Sequence, residues 1–413
     1  MCSAVVLTTQ LMVHNNESTG AQTKLTHGEE RQTLKLDNIK NQTKYDHCDM
    51  KHRHMEHRKT CKMVNIYTSQ GLNVPSIISE QISASHDGCN LEKVEHNCKE
   101  IRESFLYLKN SNQTEKHNFS LAFALKIHRN ANQAFRLLRY IYSPTHIYCI
   151  HVDAKAPTKI FHSFKRIQKC FDNIKVVDEP VSVVYSSIRQ VEAEIKCMQL
   201  LRASGGQWKY YINLTGQEFM LKTNEELIKY LQSLDGRNDI ESNEFPPEYQ
   251  KRFRRVHKIG KESVYITNLQ KQPLHINIDL RKGSAYGMFS REFVDFVLDH
   301  VVVKVFMKWL QDTYAPEEII WATLNALSSA PGGDKGTRTY ANGKYLSRHV
   351  VWKLDRKSRC YGKYVRYICV YGERDLPGLL ASTYMVANKF YEEFEPVALT
   401  CLESHMYDRL EVG

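Results

Sequence analysis

Leu121-Ala122-Phe123-Ala124-Leu125-Lys126-Ile127 is an apolar run broken by a single lysine, and it reads as a buried strand. From Gln133 to Tyr142 apolar residues recur at helical spacing, so a βα unit opens at Ser120. The pattern then repeats: strand His146–Val152, a helical stretch from near Ile160 to Cys170, strand Asn173–Val177, helix Ser187–Ala203 and strand Tyr210–Leu214. Alternation of this kind predicts an α/β fold, a mostly parallel sheet with helices on both faces. Ligands of such sheets bind beyond the C-terminal ends of the strands. That rule brings Ile127, His128, Asp153, Ala154, Lys155 and Tyr185 to one crevice. Neither G-x-G-x-x-G nor a Walker A sequence is present, which leaves dinucleotide oxidoreduction and P-loop phosphoryl transfer without support.

Upstream, residues 14–118 are polar, rich in His, Asn, Lys and Thr, with little periodicity and no repeat, and read as a stem. His47, Cys48, His52, His54, His57 and Cys61 crowd together there, but at no common metal-ligand spacing, so we read a solvated tract. The whole chain has 413 residues, 42% of them apolar, enough for a substantial core, and by length alone two or three domains would be unsurprising. Lys and Arg exceed Asp and Glu by 57 to 46, a balance that suits phosphate-bearing partners or simply a solvated surface. Nucleic acid is not expected, because the longest basic run is only Lys251-Arg252-Phe253-Arg254-Arg255 and no reading motif accompanies it.

Eleven cysteines without paired C-x2-C clusters point to disulfides rather than zinc. N-x-S/T sequons at Asn16, Asn41, Asn112 and Asn118 lie in or beside the polar segment and are the expected glycosylation sites. A further sequon at Asn213 follows the strand-like Trp208-Lys209-Tyr210-Tyr211-Ile212 and is expected to stay unmodified. Both features suit the secretory pathway. Met1–Val13 is short, partly apolar and broken by Thr8-Thr9-Gln10, less than a bilayer-spanning helix needs. Either an anchor-coding start is missing or entry uses a weak signal.

Several blocks in one order resemble the core-2 and I-branching β-1,6-N-acetylglucosaminyltransferases. They are Tyr148-Cys149-Ile150-His151-Val152-Asp153, Tyr210 to Phe219, Gly283-Ser284-Ala285-Tyr286, Asp312 to Trp321, Tyr364 to Gly372, and Ala387-Asn388-Lys389-Phe390. The likeness runs from about Ser120 to Cys401. It implies a GT-A-type nucleotide-sugar transferase fold, with a mixed, mostly parallel sheet in residues 119–413 behind a stem at 1–118. Residues 119–235 would form the nucleotide-sugar half and 236–413 the acceptor and catalytic half. It also implies UDP-N-acetylglucosamine as donor, no cofactor or divalent metal, and an O-glycan acceptor on glycoproteins. Localisation would be the Golgi membrane, lumenal and type II, with a homodimer admitted.

Residue by residue, the resemblance makes Glu318 the general base, Arg366 and Lys389 the cations on the UDP diphosphate, and Ile127, His128, Asp153, Ala154, Lys155 and Tyr185 the donor side. Glu241, Arg252, Glu317 and Trp352 would face the acceptor. A carboxylate suits the base, since an inverting transfer must remove the acceptor hydroxyl proton as its oxygen attacks the anomeric carbon. By itself the Glu317-Glu318 pair after Pro316 also reads as an exposed helix start. The chain has no D-x-D, and fixed cations can do the electrostatic work of a metal. The family's disulfides carry over as Cys61–Cys401, Cys98–Cys170, Cys149–Cys197 and Cys360–Cys369, leaving Cys2, Cys48 and Cys89.

The chain also departs from the pattern. Gln190 occupies the customary arginine site, with Arg189 displaced by one. Tyr249 and Leu354 replace a lysine and a tyrosine, and Arg374 replaces a glycine. These differences keep two other readings open, a glycan-binding relative with weak or lost catalysis and a peptide O-xylosyltransferase.

Overall fold

The computed structural model describes residues 50–84, 91, 97–105, 119–334, 338–339, 342–355 and 358–412. Its centre is a six-stranded sheet built from β1 (Leu121–Ile127), β2 (Ile147–Val152), β3 (Ile174–Val176), β4 (Tyr210–Thr215), β6 (Asp239–Ile240) and β7 (Gly287–Ser290). The spatial order is β3-β2-β1-β4-β7-β6, with the first four parallel and β7 antiparallel to both its neighbours. A smaller sheet sets β8 (Arg348–Val350) parallel to β9 (Val386–Asn388), which runs antiparallel to β5 (Glu218–Met220). This is the mixed, mostly parallel α/β architecture expected.

The period-2 geometry of a strand explains why β1 is apolar on both faces. Leu121, Phe123, Leu125 and Ile127 join one core cluster, while Ala122 and Ala124 join the other. Its neighbours divide the same way, Tyr148 and Ile150 from Cys149, and Ile212 and Leu214 from Tyr211. Helices α4 (Ala131–Ile141) and α5 (Thr158–Cys170) cover the first face, and α6 (Arg189–Ala203), α8 (Arg291–Asp299) and α9 (Val301–Leu310) cover the second. The two alanines leave room for α6, which the Cys149–Cys197 disulfide staples to β2. Asn213 is fully buried and donates to Glu194 and to the Ala285 carbonyl, so no glycan can reach it in the folded chain.

The segment expected to be stem differs. Helices α1 (Met50–Ser69), α2 (Ser76–Ala84) and α3 (Cys98–Phe105) lie within it, and Val64, Ile78, Ile82, Ile101 and Phe105 are buried in the same core as β1. Packed structure therefore begins well before residue 119. Cys61–Cys401 ties α1 to α11 (Pro396–Val412), and Cys98–Cys170 ties α3 to α5. The apolar stripes were hard to see because the buried face of α1 includes polar groups: His54 is buried by bonding Asp408, and the Thr68 hydroxyl donates to the Val64 carbonyl. With Cys61 in a disulfide and His54 so engaged, the crowded histidines and cysteines do not assemble a metal site among the described residues. Asn16, Asn41, Asn112 and Asn118, and Cys2, Cys48 and Cys89, lie outside the described residues. No described helix is long and apolar enough to cross a membrane.

Candidate active site

A cleft of about 490 Å³ opens at the C-terminal ends of β1, β2 and β4, as strand-end logic predicts. Ile127, His128, Asp153, Lys155 and Tyr185 line it, and Ala154 does not: it is exposed, its amide bonded to the Val181 carbonyl. The Asp153 carboxylate closes the turn after β2 by accepting the Lys155 and Val183 amides at 2.9 and 3.3 Å. Burial and then the charge of Arg129 lower the His128 pKa, which favours the neutral imidazole.

One wall is cationic. Arg366 sits at the tip of a hairpin whose strands are Lys363–Val365 and Ile368–Val370. Arg366 and Tyr367 both have positive φ, 52° and 64°, the conformation a two-residue hairpin loop requires and one that costs a non-glycine residue about 1–2 kcal/mol. The turn lays the guanidinium 4.1 Å over the ring of Tyr185. Lys389 follows β9, where Asn388 is anchored by a buried network. Glu218 accepts from Asn388 at 2.8 Å, from Arg348 at 2.9 Å and from the Thr215 amide at 2.7 Å. Burial first, then the charges of Arg366 and Arg129, press the Lys389 pKa down to about 8. No carboxylate pairs with Arg366 or Lys389 among the described residues. The Cys360–Cys369 disulfide ties the segment before the hairpin to its second strand, and all four expected pairings are formed.

A carboxyl pair also stands at the cleft, Glu317 in its lining and Glu318 next to it. Pro316–Glu318 forms a single 3-10 turn, entered through Ala315 at φ 49°. The Ala315 amide donates to the carbonyl of Ser186, itself at φ 59°, so two strained positions brace each other beside the cleft. Glu317 lines the cleft, is 7% exposed, and accepts from the Gln190 amide at 2.5 Å. Burial and then the neighbouring Glu318 charge push its pKa up to about 8. Glu318 is held by Arg252 at 2.7 Å and Lys282 at 3.5 Å. Its carbonyl accepts the Gly283 amide at 2.9 Å, and a Cβ at Gly283 would fall 1.9 Å from the Glu241 carbonyl oxygen, so only glycine lets these segments meet.

Of the expected acceptor residues, Arg252, Glu317 and Glu241 gather about Glu318, and Trp352 lies apart. Arg252 is a partner of Glu318 and stacks on Tyr249 at 4.6 Å. Glu241 is largely buried, its pKa raised by burial against the pull of Lys282, and accepts from Asn243 at 3.2 Å. Trp352 is 42% exposed, does not line the cleft, and bridges Ile368 through its backbone. Two of the departures lie away from the site. Arg374 stacks on Tyr361 and donates to the Gly71 carbonyl, tying the segment after α1 to the body, and Leu354 is 78% exposed. Gln190 is on the cleft wall while Arg189 is exposed.

Sequence reasoning missed Arg129, Gln217 and Lys282. Arg129 lines the cleft one residue past His128, within reach of the same strand-end rule. Gln217, in the block from Tyr210 to Phe219, also lines it, and its side-chain nitrogen is buried without a partner. Lys282 has no sequence signal beyond its place beside Gly283.

Taken together, Arg366, Lys389 and Glu317 line a strand-end cleft, the two cations without carboxylate partners among the described residues, while Glu318 adjoins Glu317 without being among the lining residues, a set of groups suited to moving a group from a phosphorylated donor. The profile of the Core-2/I-Branching enzyme family matches residues 121–380. The human beta-1,3-galactosyl-O-glycosyl-glycoprotein beta-1,6-N-acetylglucosaminyltransferase 3 is 35% identical over 303 residues, 71% of this chain and 69% of that protein. The human probable beta-1,3-galactosyl-O-glycosyl-glycoprotein beta-1,6-N-acetylglucosaminyltransferase 7 is 35% identical over 313 residues, 74% and 72%. The corresponding enzyme 4 of Danio rerio is 34% identical over 305 residues, 71% of each. With more than half of its length matched and its cleft at the strand ends, this chain belongs to the Core-2/I-branching enzyme family of glycosyltransferases.

Proposed function

We propose that the protein transfers N-acetylglucosamine from UDP-N-acetylglucosamine to a galactose or N-acetylgalactosamine of O-glycans, forming a β-1,6 branch. In this scheme Glu318 takes the proton of the acceptor hydroxyl while that oxygen bonds to the anomeric carbon. The bond from that carbon to the diphosphate breaks on the opposite side, inverting the centre, and the charge left on UDP is met by Arg366 and Lys389. Arg252 and Lys282 hold the Glu318 carboxylate in one orientation for this step. No divalent ion is needed where fixed cations meet the leaving group.

The observation that carries the reading is the cationic wall. Lys389 is buried yet faces the cleft with no carboxylate beside it, a state that costs free energy until an anion arrives. The relatives' named activity supports the sugar and linkage. A lumenal, Golgi-membrane location goes with such an acceptor. The test is direct: purified protein, UDP-N-acetylglucosamine and core-1 disaccharide, with EDTA present, should yield a β-1,6-linked product identified by NMR. Absence of product on core-1, core-3 and polylactosamine acceptors alike would overturn the proposal.

A further inference from the structure

The carboxyl of Glu317 occupies an unusual position for an acid in an active-site wall. One oxygen accepts from Gln190 at 2.5 Å, while the other, Oε2, is buried without any hydrogen-bond partner. The side chain as a whole is 7% exposed and lines the cleft. An ionised carboxylate in that place would leave a charged oxygen desolvated and unpaired, one of the costliest arrangements in a protein interior.

The surroundings do not neutralise it. Gln190, from α6, is uncharged, and Arg252 is engaged with Glu318. Glu318, next in the chain, is a like charge. Tyr185 faces it from the loop before α6, and its own pKa is raised by burial and by both glutamates. Arg366 lies over the Tyr185 ring rather than beside the Glu317 carboxyl. We infer that Glu317 stands in the cleft wall as an uncharged carboxylic acid, accepting from Gln190 through one oxygen and keeping its proton on the other, buried oxygen. In that role it is a positioning residue: by staying neutral it leaves Glu318 the sole anionic member of the pair. The inference rests on the transferase reading for what that charge pattern serves, but not for the protonation state. Burial sets the direction, with the proton retained up to about pH 8.

Difference infrared spectroscopy of the free protein, titrated from about pH 6 to about pH 10, tests the charge state without any turnover. The wild type should show a protonated-carboxyl band lost as pH passes about 8, absent from Glu317→Gln. Asp239 and Glu395, raised by burial to about 6 and about 7, persist in the variant, so subtraction removes them. Gln190→Arg should move the loss to lower pH by supplying a counter-cation. With turnover established, Gln190→Arg should lower kcat/KM about tenfold at pH 7 by ionising Glu317 beside Glu318. A wild-type spectrum in which no band is lost relative to Glu317→Gln sinks the proposal. So does a folded Glu317→Gln protein that loses more than about a hundredfold in kcat/KM, since that would require the charge. Lack of turnover in every protein would count against the transferase reading and leave the infrared result to stand.

Discussion

The two walls of the cleft solve opposite electrostatic problems. On the cationic side, Lys389 is buried and Arg366 is carried on a strained turn, and both are left without carboxylates. On the carboxylic side the Glu318 charge already has company in Arg252 and Lys282, while Glu317 meets only the uncharged Gln190 and keeps one oxygen buried without a partner. The first wall is incomplete until an anion binds, so binding itself is what it is built for. On the second side the Glu318 charge is satisfied in the free protein, which holds that carboxylate in place but would oblige an acceptor to compete with Arg252 for its oxygens.

That contrast can be broken from either side. The largest effect should come from Glu318→Gln, which keeps shape and hydrogen bonding but removes the base. A loss of about 10³-fold in kcat is expected, with unchanged thermal stability and unchanged donor binding. Retention of activity would move the base elsewhere, Glu241 being the next carboxyl on that side. Lys389→Ala should cost about 10²-fold in kcat/KM, mostly through the leaving group, with EDTA making no difference in either protein. The same lysine sharpens the comparison through pH. Its pKa is lowered to about 8, so the free enzyme loses this charge as pH rises through that value, and KM for the donor should climb above it. Lys389→Arg, charged throughout, should keep a flat KM over the same range.

A smaller and structural effect is expected at the hinge between the walls. Gly283→Ala puts a methyl group against the Glu241 carbonyl and the Ala322 side chain, which should cost about 1–3 kcal/mol in urea unfolding and shift the Glu318 turn. The smallest should be Arg374→Gly, which loses a stacking contact and a hydrogen bond far from the cleft. Stability should change by about 0.5 kcal/mol and kcat/KM not at all. A large loss of activity there would overturn the view that this departure is remote from catalysis.

Much of the donor side was legible because it depends on local pattern. Strands β1 and β2 announce themselves by unbroken apolar runs, and the residues at their ends must lie along one sheet edge whatever the loops do. The setting of Arg366 was not legible, because Arg-Tyr is not a recognisable hairpin loop and only the pairing of 363–365 with 368–370 makes it one. The acceptor side was poorly legible for a related reason. Arg252 and Lys282 are far apart in sequence from Glu318, and nothing in their own neighbourhoods signals that they converge on it. The segment 50–105 was misread as stem since its buried stripes are short and mixed with polar groups, such as His54, whose burial is permitted only by a partner more than 350 residues away.

The amino-acid sequence alone determined the βα alternation, the crevice at the strand ends, the identity of Glu318, Arg366 and Lys389 as candidate groups and, through family likeness, the four disulfide pairings. These follow from periodicity and from the order of blocks along the chain. Tertiary structure alone decided which charges are paired. It joined Glu318 to Arg252 and Lys282, set the uncharged Gln190 against Glu317, and left Lys389 buried with no paired carboxylate among the described residues. The physical reason is that charge state and reactivity depend on desolvation and on neighbours a few ångströms away, and those neighbours come from segments that only folding brings together.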